Sequence, residues 1–388
     1  MGLRMLQLAV WDYSFSMHLM PLLRACRAEG YEVVCAGVAG PFVDEIAAEG
    51  FRYVPLPFSR SARPDRHLRA LIALTRLLRR ERFDVVHAHT FVAGLVGRVA
   101  ARISRVPVCA YTAHGFRFHE GMGPVSFRIH LGFEALAARW TDYLFVQNDE
   151  DRVTALSHGL VDRERIRTIG NGIDLSRFSR SRLDPAALSA LRRELDLPEE
   201  ARVVTTIARP TREKGLYEFL EIAESLSAMH PDVHFLAVLP KLDGERHSIE
   251  RAIERSRSPR LKRLGFRRDI PEILALTDVF VLPSHFEGYS RVIMEAMAMG
   301  VPVVASNVRG CRGLVRNGVC GMLVEPGEIG EFVEASSRLL ADEKLRTDFG
   351  RAARGIAEEQ FDLDASVKLQ TSAFEMLTRD LRPVPLAC

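Results

Sequence analysis

Two carboxylates eight positions apart, Glu287 and Glu295, frame the segment Glu287-Gly288-Tyr289-Ser290-Arg291, which runs on through Met294-Glu295-Ala296-Met297 to Gly300. The segment directly follows the apolar run 279–283. A strand, a loop with Gly and Ser, and then a helix leave first-turn N–H groups and a positive dipole end where a phosphate can sit. Carboxylates do not bind phosphate, but they accept hydrogen bonds from hydroxyls, and an aligned carboxylate suits a vicinal diol. The combination points to a diphosphate flanked by two hydroxyl-bearing groups, which is a nucleotide sugar. An ordinary amphipathic helix with two solvated glutamates fits the same spacing.

A second cluster, Ile207-Ala208-Arg209-Pro210-Thr211-Arg212-Glu213-Lys214-Gly215, follows another apolar run. Its Arg209 offers a planar fork and Lys214 a point charge, which together neutralise a diphosphate and the charge that develops as it leaves. A third stretch, Thr112-Ala113-His114-Gly115-Phe116, puts a histidine at a strand end, where a neutral ring can donate to a sugar hydroxyl or to a departing phosphate oxygen. A lone histidine there is equally well explained by packing. His87 and His89 alternate onto one face with His119 near in sequence, but a third metal ligand at convincing spacing is missing. Packing or acceptor contact is the expectation for them. Leu264-Gly265-Phe266-Arg267-Arg268-Asp269-Ile270 is a weaker feature that an exposed turn also explains.

Together these motifs resemble the family 4 glycosyltransferases, retaining enzymes of GT-B fold. Within that family the Tyr-Thr-Ala-His-Gly-Phe stretch and Val308-Arg309-Gly310-Cys311-Arg312 resemble bacterial enzymes that extend lipid-linked or surface polysaccharides. The resemblance implies two Rossmann-like, doubly wound parallel-sheet α/β domains facing a central cleft. It implies that Arg209 and Lys214 meet the donor pyrophosphate, Glu287 the donor-sugar hydroxyls and Glu295 the ribose. By the same resemblance, the amides of Gly288, Tyr289 and Ser290 meet sugar and phosphate, His114 faces the donor sugar, and backbone at Phe266 and Arg267 lines the base pocket. The chemistry implied is metal-independent, needs no cofactor beyond a nucleotide sugar, taken as a UDP-sugar, and transfers an N-acetylhexosamine or hexose to a lipid-linked (polyprenyl-diphosphate) or saccharide acceptor. Two departures stand out. Trp11-Asp12-Tyr13-Ser14-Phe15-Ser16 replaces the glycine-rich loop of many relatives, and Gly313 stands where a Glu is common.

These residues need scaffolding, and the chain supplies it in alternation: short Val/Ile/Leu runs separated by segments of helical period, the pattern of βαβ units. Strands are expected at 5–10, 33–38, 85–89, 106–112 and 143–147, and again at 203–208, 233–239, 279–283, 302–306 and 321–324. Ligands of such sheets bind beyond the carboxyl ends of strands, where the three motifs fall. Turn chemistry at Gly170-Asn171-Gly172-Ile173-Asp174 marks a boundary. An acceptor-binding domain is expected at 1–170 and a nucleotide-sugar domain at 171–363, with a tail helix in 364–388 crossing back to the first domain and ended by Pro383 and Pro385.

The 388 residues suit two domains, and 47% hydrophobic with 27% charged residues excludes disordered and fibrous classes. Six cysteines without a CxxC pair point to a reducing compartment, and the expected location is the cytoplasm, peripheral on the inner face of its membrane. The net charge of +3 hides a segregation, since residues 60–82 hold eight arginines against Asp65 and Glu81, a local excess of +6. Residues 66–82 read as a basic amphipathic helix with Leu68, Leu71, Leu74 or Thr75, and Leu78 in one stripe. Such a helix either packs its stripe into a core or rests on an anionic membrane surface. No nucleic-acid partner is expected, because no reading motif accompanies the charge. Three rivals to sugar transfer are a UDP-sugar 2-epimerase, a non-catalytic nucleotide-sugar-binding protein and a dinucleotide oxidoreductase; the last lacks a G-x-G-x-x-G after a first strand.

Overall fold

The structure, a computed structural model, describes residues 2–59, 64–240, 258 and 260–381. Arg60, Arg63, Pro383 and Pro385 lie outside the described residues. The chain divides into two compact units, one running from the N-terminus through Gly170 and resuming at Asp364, the other spanning Asn171–Leu363.

The first unit is built on seven parallel strands: β1 Arg4–Trp11, β2 Glu32–Val38, β3 Arg52–Pro55, β4 Val85–His89, β5 Val108–Ala113, β6 Tyr143–Val146 and β7 Ile166–Thr168, in the order β3-β2-β1-β4-β5-β6-β7. Its helices are α1 Met20–Ala28, α2 Val43–Ala48, α3 Pro64–Glu81, α4 Phe91–Ser104, α5 Pro124–Ala138 and α6 Asp149–Ser157. Right-handed crossovers place helices on opposite faces according to the direction in which the strand order advances. One face of the sheet presents Leu6, Leu8, Val86 and Ala88 to α3 and α4, and continues through Tyr111 and Ala113 to α5. The other presents Met5, Val33, Val85 and Phe145 to α1, α2 and the returning tail.

The second unit has six parallel strands, β8 Arg202–Ile207, β9 Val233–Val238, β10 Leu261–Leu264, β11 Val279–Leu282, β12 Val303–Ser306 and β13 Gly321–Val324, ordered β10-β9-β8-β11-β12-β13. Helices α7 Pro185–Glu194, α9 Ile270–Ala275, α10 Arg291–Ala298 and α12 Glu343–Gln360 pack on one face, and α8 Leu216–Met229 with α11 Ile329–Ala341 on the other. The tail helix α13 Leu363–Leu377 belongs to the first unit almost from its first residue. There Phe374 stacks edge-on against His87 and Phe145, and Thr378 hydrogen-bonds the Tyr31 hydroxyl at 2.8 Å.

Both sheets are doubly wound, as the fold expectation required. Three strands, β3, β7 and β10, were not foreseen from the apolar pattern. All three are sheet edges, paired on one side only and carrying charged residues such as Arg52, Arg167, Lys262 and Arg263, so they lack the continuous apolar run of a central strand. A second correction concerns α3. Its core-facing stripe is Ala70, Leu74, Leu77 and Leu78, with Leu71 partly covered, whereas Leu68 is 57% exposed. Apolar residues occupy so much of the helix circumference that the pattern alone did not fix its rotation.

Trp11 to Ser16, which replaces a glycine-rich loop, passes straight from the end of β1 into the short helix Asp12–Ser14 and the helical stretch Phe15–Leu19. The buried Asp12 carboxylate accepts from the backbone N–H groups of Tyr13 at 2.9 Å and Phe42 at 2.8 Å, and Phe15 is sunk in the core.

Candidate functional site

In the second unit the strand order reverses direction between β8 and β11, so their outgoing loops splay apart and leave a crevice at the carboxyl edge. The loop after β8 carries Arg209 and Lys214, and the loop after β11 carries Glu287. Two motifs 73 residues apart in sequence thus meet at one switch point: Lys214 Nζ lies 2.8 Å from Glu287 Oε1 and donates to the Phe286 carbonyl at 3.2 Å. The Ser284 hydroxyl donates to the same Glu287 oxygen at 2.9 Å, and the carboxylate is largely buried.

Two glycines allow this approach. Gly215 has φ +66°, and a Cβ there would sit 1.8 Å from the Pro283 carbonyl oxygen. Gly310, in the one-turn helix Arg309–Arg312, presses on the loop from the other side, where a Cβ would meet Glu287 and Gly288 backbone at 2.6 Å. Arg209 lies in the same β8 loop, partly exposed, with its carbonyl accepting from the Thr211 N–H at 2.7 Å.

Helix α10 opens at Ser290, whose side chain caps nothing. The Ser290 N–H is spent on the Gly310 carbonyl at 3.2 Å, so of the three amides expected to face a ligand this one is engaged; its buried hydroxyl has no hydrogen-bond partner. Gly288 and Tyr289 lie in the loop, and Tyr289 packs beside Gly313. Glu295 sits one helical turn on from Arg291, which donates to it at 3.1 Å, yet burial dominates and raises its pKa above the usual carboxylate value. Phe266 is 42% exposed, and the Arg267 guanidinium is committed to Asp269 and Glu194, so a base-pocket role there is confined to backbone.

In the first unit His114 follows β5. Its Nδ1 is 3.0 Å from Gln147 Nε2 and its Nε2 is 3.2 Å from His89 Nδ1, while His89 Nε2 is 2.9 Å from Gln7 Oε1. The amide atoms at the two ends of this chain fix one neutral tautomer per ring: Gln147 Nε2 donates to His114 Nδ1, His114 Nε2–H to His89 Nδ1, and His89 Nε2–H to the Gln7 oxygen. Neither His114 nitrogen is spare in this conformer, so a bond to a sugar hydroxyl requires one of these to be exchanged. His87 is tied to Thr112 Oγ1 at 2.7 Å, with its ring centroid 4.1 Å from that of His89. The pair considered as metal ligands therefore forms part of a hydrogen-bonded stack; among the described residues no group of three or more His, Cys, Asp or Glu is arranged to hold a metal ion.

Burial lowers His87 to about 3 and His114 to about 4, and holds His89 well below the usual imidazole value. These rings are neutral when folded but take up protons when unfolded below about pH 6.5. The stability they contribute is whole above that pH and is lost as the pH falls towards 4. The expected result is a melting temperature that drops by several degrees between about pH 7 and pH 5. The drop should be smaller in a His87→Asn variant, followed by calorimetry.

Sequence reasoning missed Ser284, Gln7 and Gln147, which act by contact across the fold, and quoted Gly310 within a motif without foreseeing its approach to the Glu287 backbone. It also missed Thr90, a non-glycine residue at φ +66° where β4 leaves the sheet beside the switch point of this unit. Strain of this kind is retained where the surrounding structure over-determines it, often at ligand sites. A polar residue inside the apolar strand β1 was the available sign for Gln7.

Comparison with known proteins accords with this geometry. Residues 16–172 match the model of the glycosyl transferase 4-like domain and residues 189–356 that of glycosyl transferases group 1. The chain is 32% identical over 314 residues to the Escherichia coli UDP-Gal:alpha-D-GlcNAc-diphosphoundecaprenol alpha-1,3-galactosyltransferase, covering 79% of each protein. It is 26% identical over 365 residues, 90% of this chain and 92% of the relative, to the Campylobacter jejuni N,N'-diacetylbacillosaminyl-diphospho-undecaprenol alpha-1,3-N-acetylgalactosaminyltransferase. The crystal structure of Anabaena HepE in complex with UDP and glucose has the same fold, with a TM-score of 0.80 and 23% identity over 96% of this chain and 100% of that one. On the switch-point motifs, the paired sheets and these matches, the chain belongs to the family 4 glycosyltransferases and is a glycosyltransferase of GT-B fold.

Proposed function

We propose that the protein transfers an N-acetylhexosamine or a hexose from a UDP-sugar to a polyprenyl-diphosphate-linked or saccharide acceptor, with retention at the anomeric carbon, in bacterial polysaccharide assembly. The observation that carries this reading is the Lys214–Glu287 pair at the switch point of the second unit. A bound diphosphate would compete for the lysine, freeing Glu287 to accept from sugar hydroxyls. Arg209 and Lys214 would then neutralise the charge growing on the β-phosphate as the glycosidic C–O bond lengthens. Glu295 suits the ribose diol, and the Ser290 hydroxyl is available to a phosphate or sugar oxygen. Retention is read through a front-face route, in which a leaving-phosphate oxygen takes the acceptor proton as the acceptor oxygen attacks.

The first unit, residues 1–170 with the tail, takes the acceptor role in this reading, and residues 171–363 take the donor. A UDP-hexose donor and a diphosphoundecaprenol-linked acceptor are supported by what the E. coli relative's name specifies, and an acceptor of the same kind by the C. jejuni name. No helix among the described residues is long and apolar enough to cross a membrane, so a lipid-linked acceptor would be met peripherally.

The test offers a panel of UDP-sugars with a polyprenyl-diphosphate-sugar acceptor and reads product by mass and anomeric configuration by NMR. Acceptor-dependent transfer giving an α-linked product from an α-linked donor is expected. Conversion of UDP-N-acetylglucosamine to its C2 epimer without acceptor would replace this reading with the epimerase one. Donor binding without turnover on any acceptor would leave a nucleotide-sugar-binding protein.

A further inference from the structure

Helix α5 is apolar on both sides. Its inner side buries Ala137 and Ala138 with Phe127 and Leu131 packed beside the core, while Val125, Ile129, Phe133 and Leu136 are 71%, 52%, 46% and 45% exposed. Their spacing of four, four and three residues draws one stripe roughly 16 Å long down the outer surface. A helix at the surface of a protein facing water ordinarily turns charged residues outward.

The single acid of α5, Glu134, points inward instead. It is bound to Arg98 at 2.9 Å and accepts from the Tyr111 hydroxyl at 3.2 Å, with both charged side chains almost fully buried. The exposed charges of α5 and its C-terminal junction are Arg128 and Arg139.

The stripe has neighbours. Because α4 packs between α3 and α5 on one face of the first sheet, the three form a single outer layer. Seven of the thirteen exposed large hydrophobic side chains among the described residues lie on these three helices, which makes the layer's outer surface unusually apolar for a solvated one. On α3 the exposed Leu68 and Ile72 stand among exposed Arg69, Arg76 and Arg79. The acids of α3 are answered locally, Asp65 by Arg69 and Glu81 by Arg4, Arg52 and Arg80.

We infer that the outer face of the α3–α4–α5 layer docks on an anionic lipid bilayer, with the apolar stripe of α5 as the element that enters the headgroup region. Apolar side chains interleaved with arginines, and no outward acid left unanswered, match a negatively charged interface with an apolar interior. A second copy of the chain is a poor occupant, since a symmetric contact would bring the arginines of one copy against those of the other.

Helices of a parallel sheet run antiparallel to its strands. The N-terminal turns of α3 and α5, bearing Leu68 and Val125, therefore lie toward the carboxyl edge that carries His114. The inference rests on this surface chemistry and deepens the proposed lipid-linked acceptor by supplying the surface from which it would be taken.

The test is flotation of the full chain with phosphatidylcholine vesicles and with vesicles containing about 30% phosphatidylglycerol, at low and high salt. The expected result is binding to the anionic vesicles at low salt, weakened by salt and at least about tenfold weaker for Ile129→Glu/Phe133→Glu. An Arg128→Glu/Arg139→Glu variant, altered only at exposed charges, should lose binding while keeping the wild-type melting temperature.

Wild-type protein that stays with the buffer at low salt, or a stripe variant that floats like wild type, overturns the inference. So does light scattering that shows a dimer dissolved by the stripe variant with vesicle binding unchanged. Turnover of a water-soluble acceptor, measured in parallel, reads the transferase proposal separately. Its retention in a variant that no longer floats separates docking from catalysis.

Discussion

Lys214→Ala is expected to lower kcat by about 10²–10³-fold at saturating donor, the range found when one preorganised electrostatic contact to developing charge is removed. The turn at Gly215 and the 2.8 Å contact with Glu287 hold the Lys214 ammonium at the carboxyl edge of β8 and β11, where the proposed reaction needs it. The substitution also leaves the Glu287 carboxylate largely buried without its cation, at a cost of about 1–3 kcal/mol. Stability and catalysis can be separated. Adding Glu287→Gln to Lys214→Ala removes the stranded charge, so the melting temperature should recover while kcat does not. Arg209→Ala should reproduce the kinetic loss while leaving the Lys214–Glu287 contact in place. Unchanged turnover in both single variants would exclude charge stabilisation of the leaving group by these side chains.

Glu134→Ala is expected to destabilise the first unit by about 3–5 kcal/mol, because the Arg98 guanidinium then keeps its charge in a site 1% exposed. Arg98 also donates from Nε to the Gly94 carbonyl at 2.9 Å and lies 4.0 Å over the Tyr111 ring, so it cannot swing out to water without dismantling the contact between α4 and β5. Gly94 faces that ring so closely that a Cβ would fall 2.3 Å from it. Glu134→Gln should cost less, since an amide oxygen still accepts. The double variant Arg98→Met/Glu134→Leu should recover most of the loss, because replacing both partners with apolar groups removes the desolvation problem. Differential scanning calorimetry reads the series. A Glu134→Ala melting temperature within a degree or two of wild type would mean that the pair is not the buried charge contact described here.

The candidate site was readable to the extent that it is local. Glu287, Arg209, Lys214 and His114 each stand in a loop that follows an apolar run and Glu295 one turn into the helix beyond it, and the Gly and Ser around them signal a turn whatever the rest of the fold does. What made their neighbours unreadable is distance along the chain. Ser284 orients Glu287 and Gln147 engages His114, yet a serine or glutamine at a strand end carries no mark of the side chain it will meet. Gly310 stood in a recognisable motif, but nothing in that motif told that it would press on the backbone of Glu287.

The sequence alone determined the two doubly wound sheets, the family and the strand ends that carry the candidate site, because hydrophobic periodicity and turn residues act within a few positions of themselves. Tertiary structure decided three further matters. It paired Lys214 with Glu287, because only the strand order brings β8 beside β11. It closed both ring nitrogens of His114 in a buried chain, because Gln7, His89 and Gln147 come from three different strands or strand ends. It also set which faces of α3 and α5 look outward. Both helices carry apolar residues around most of their circumference, and only packing against α4, with Glu134 drawn in to Arg98, selected which of them stay exposed.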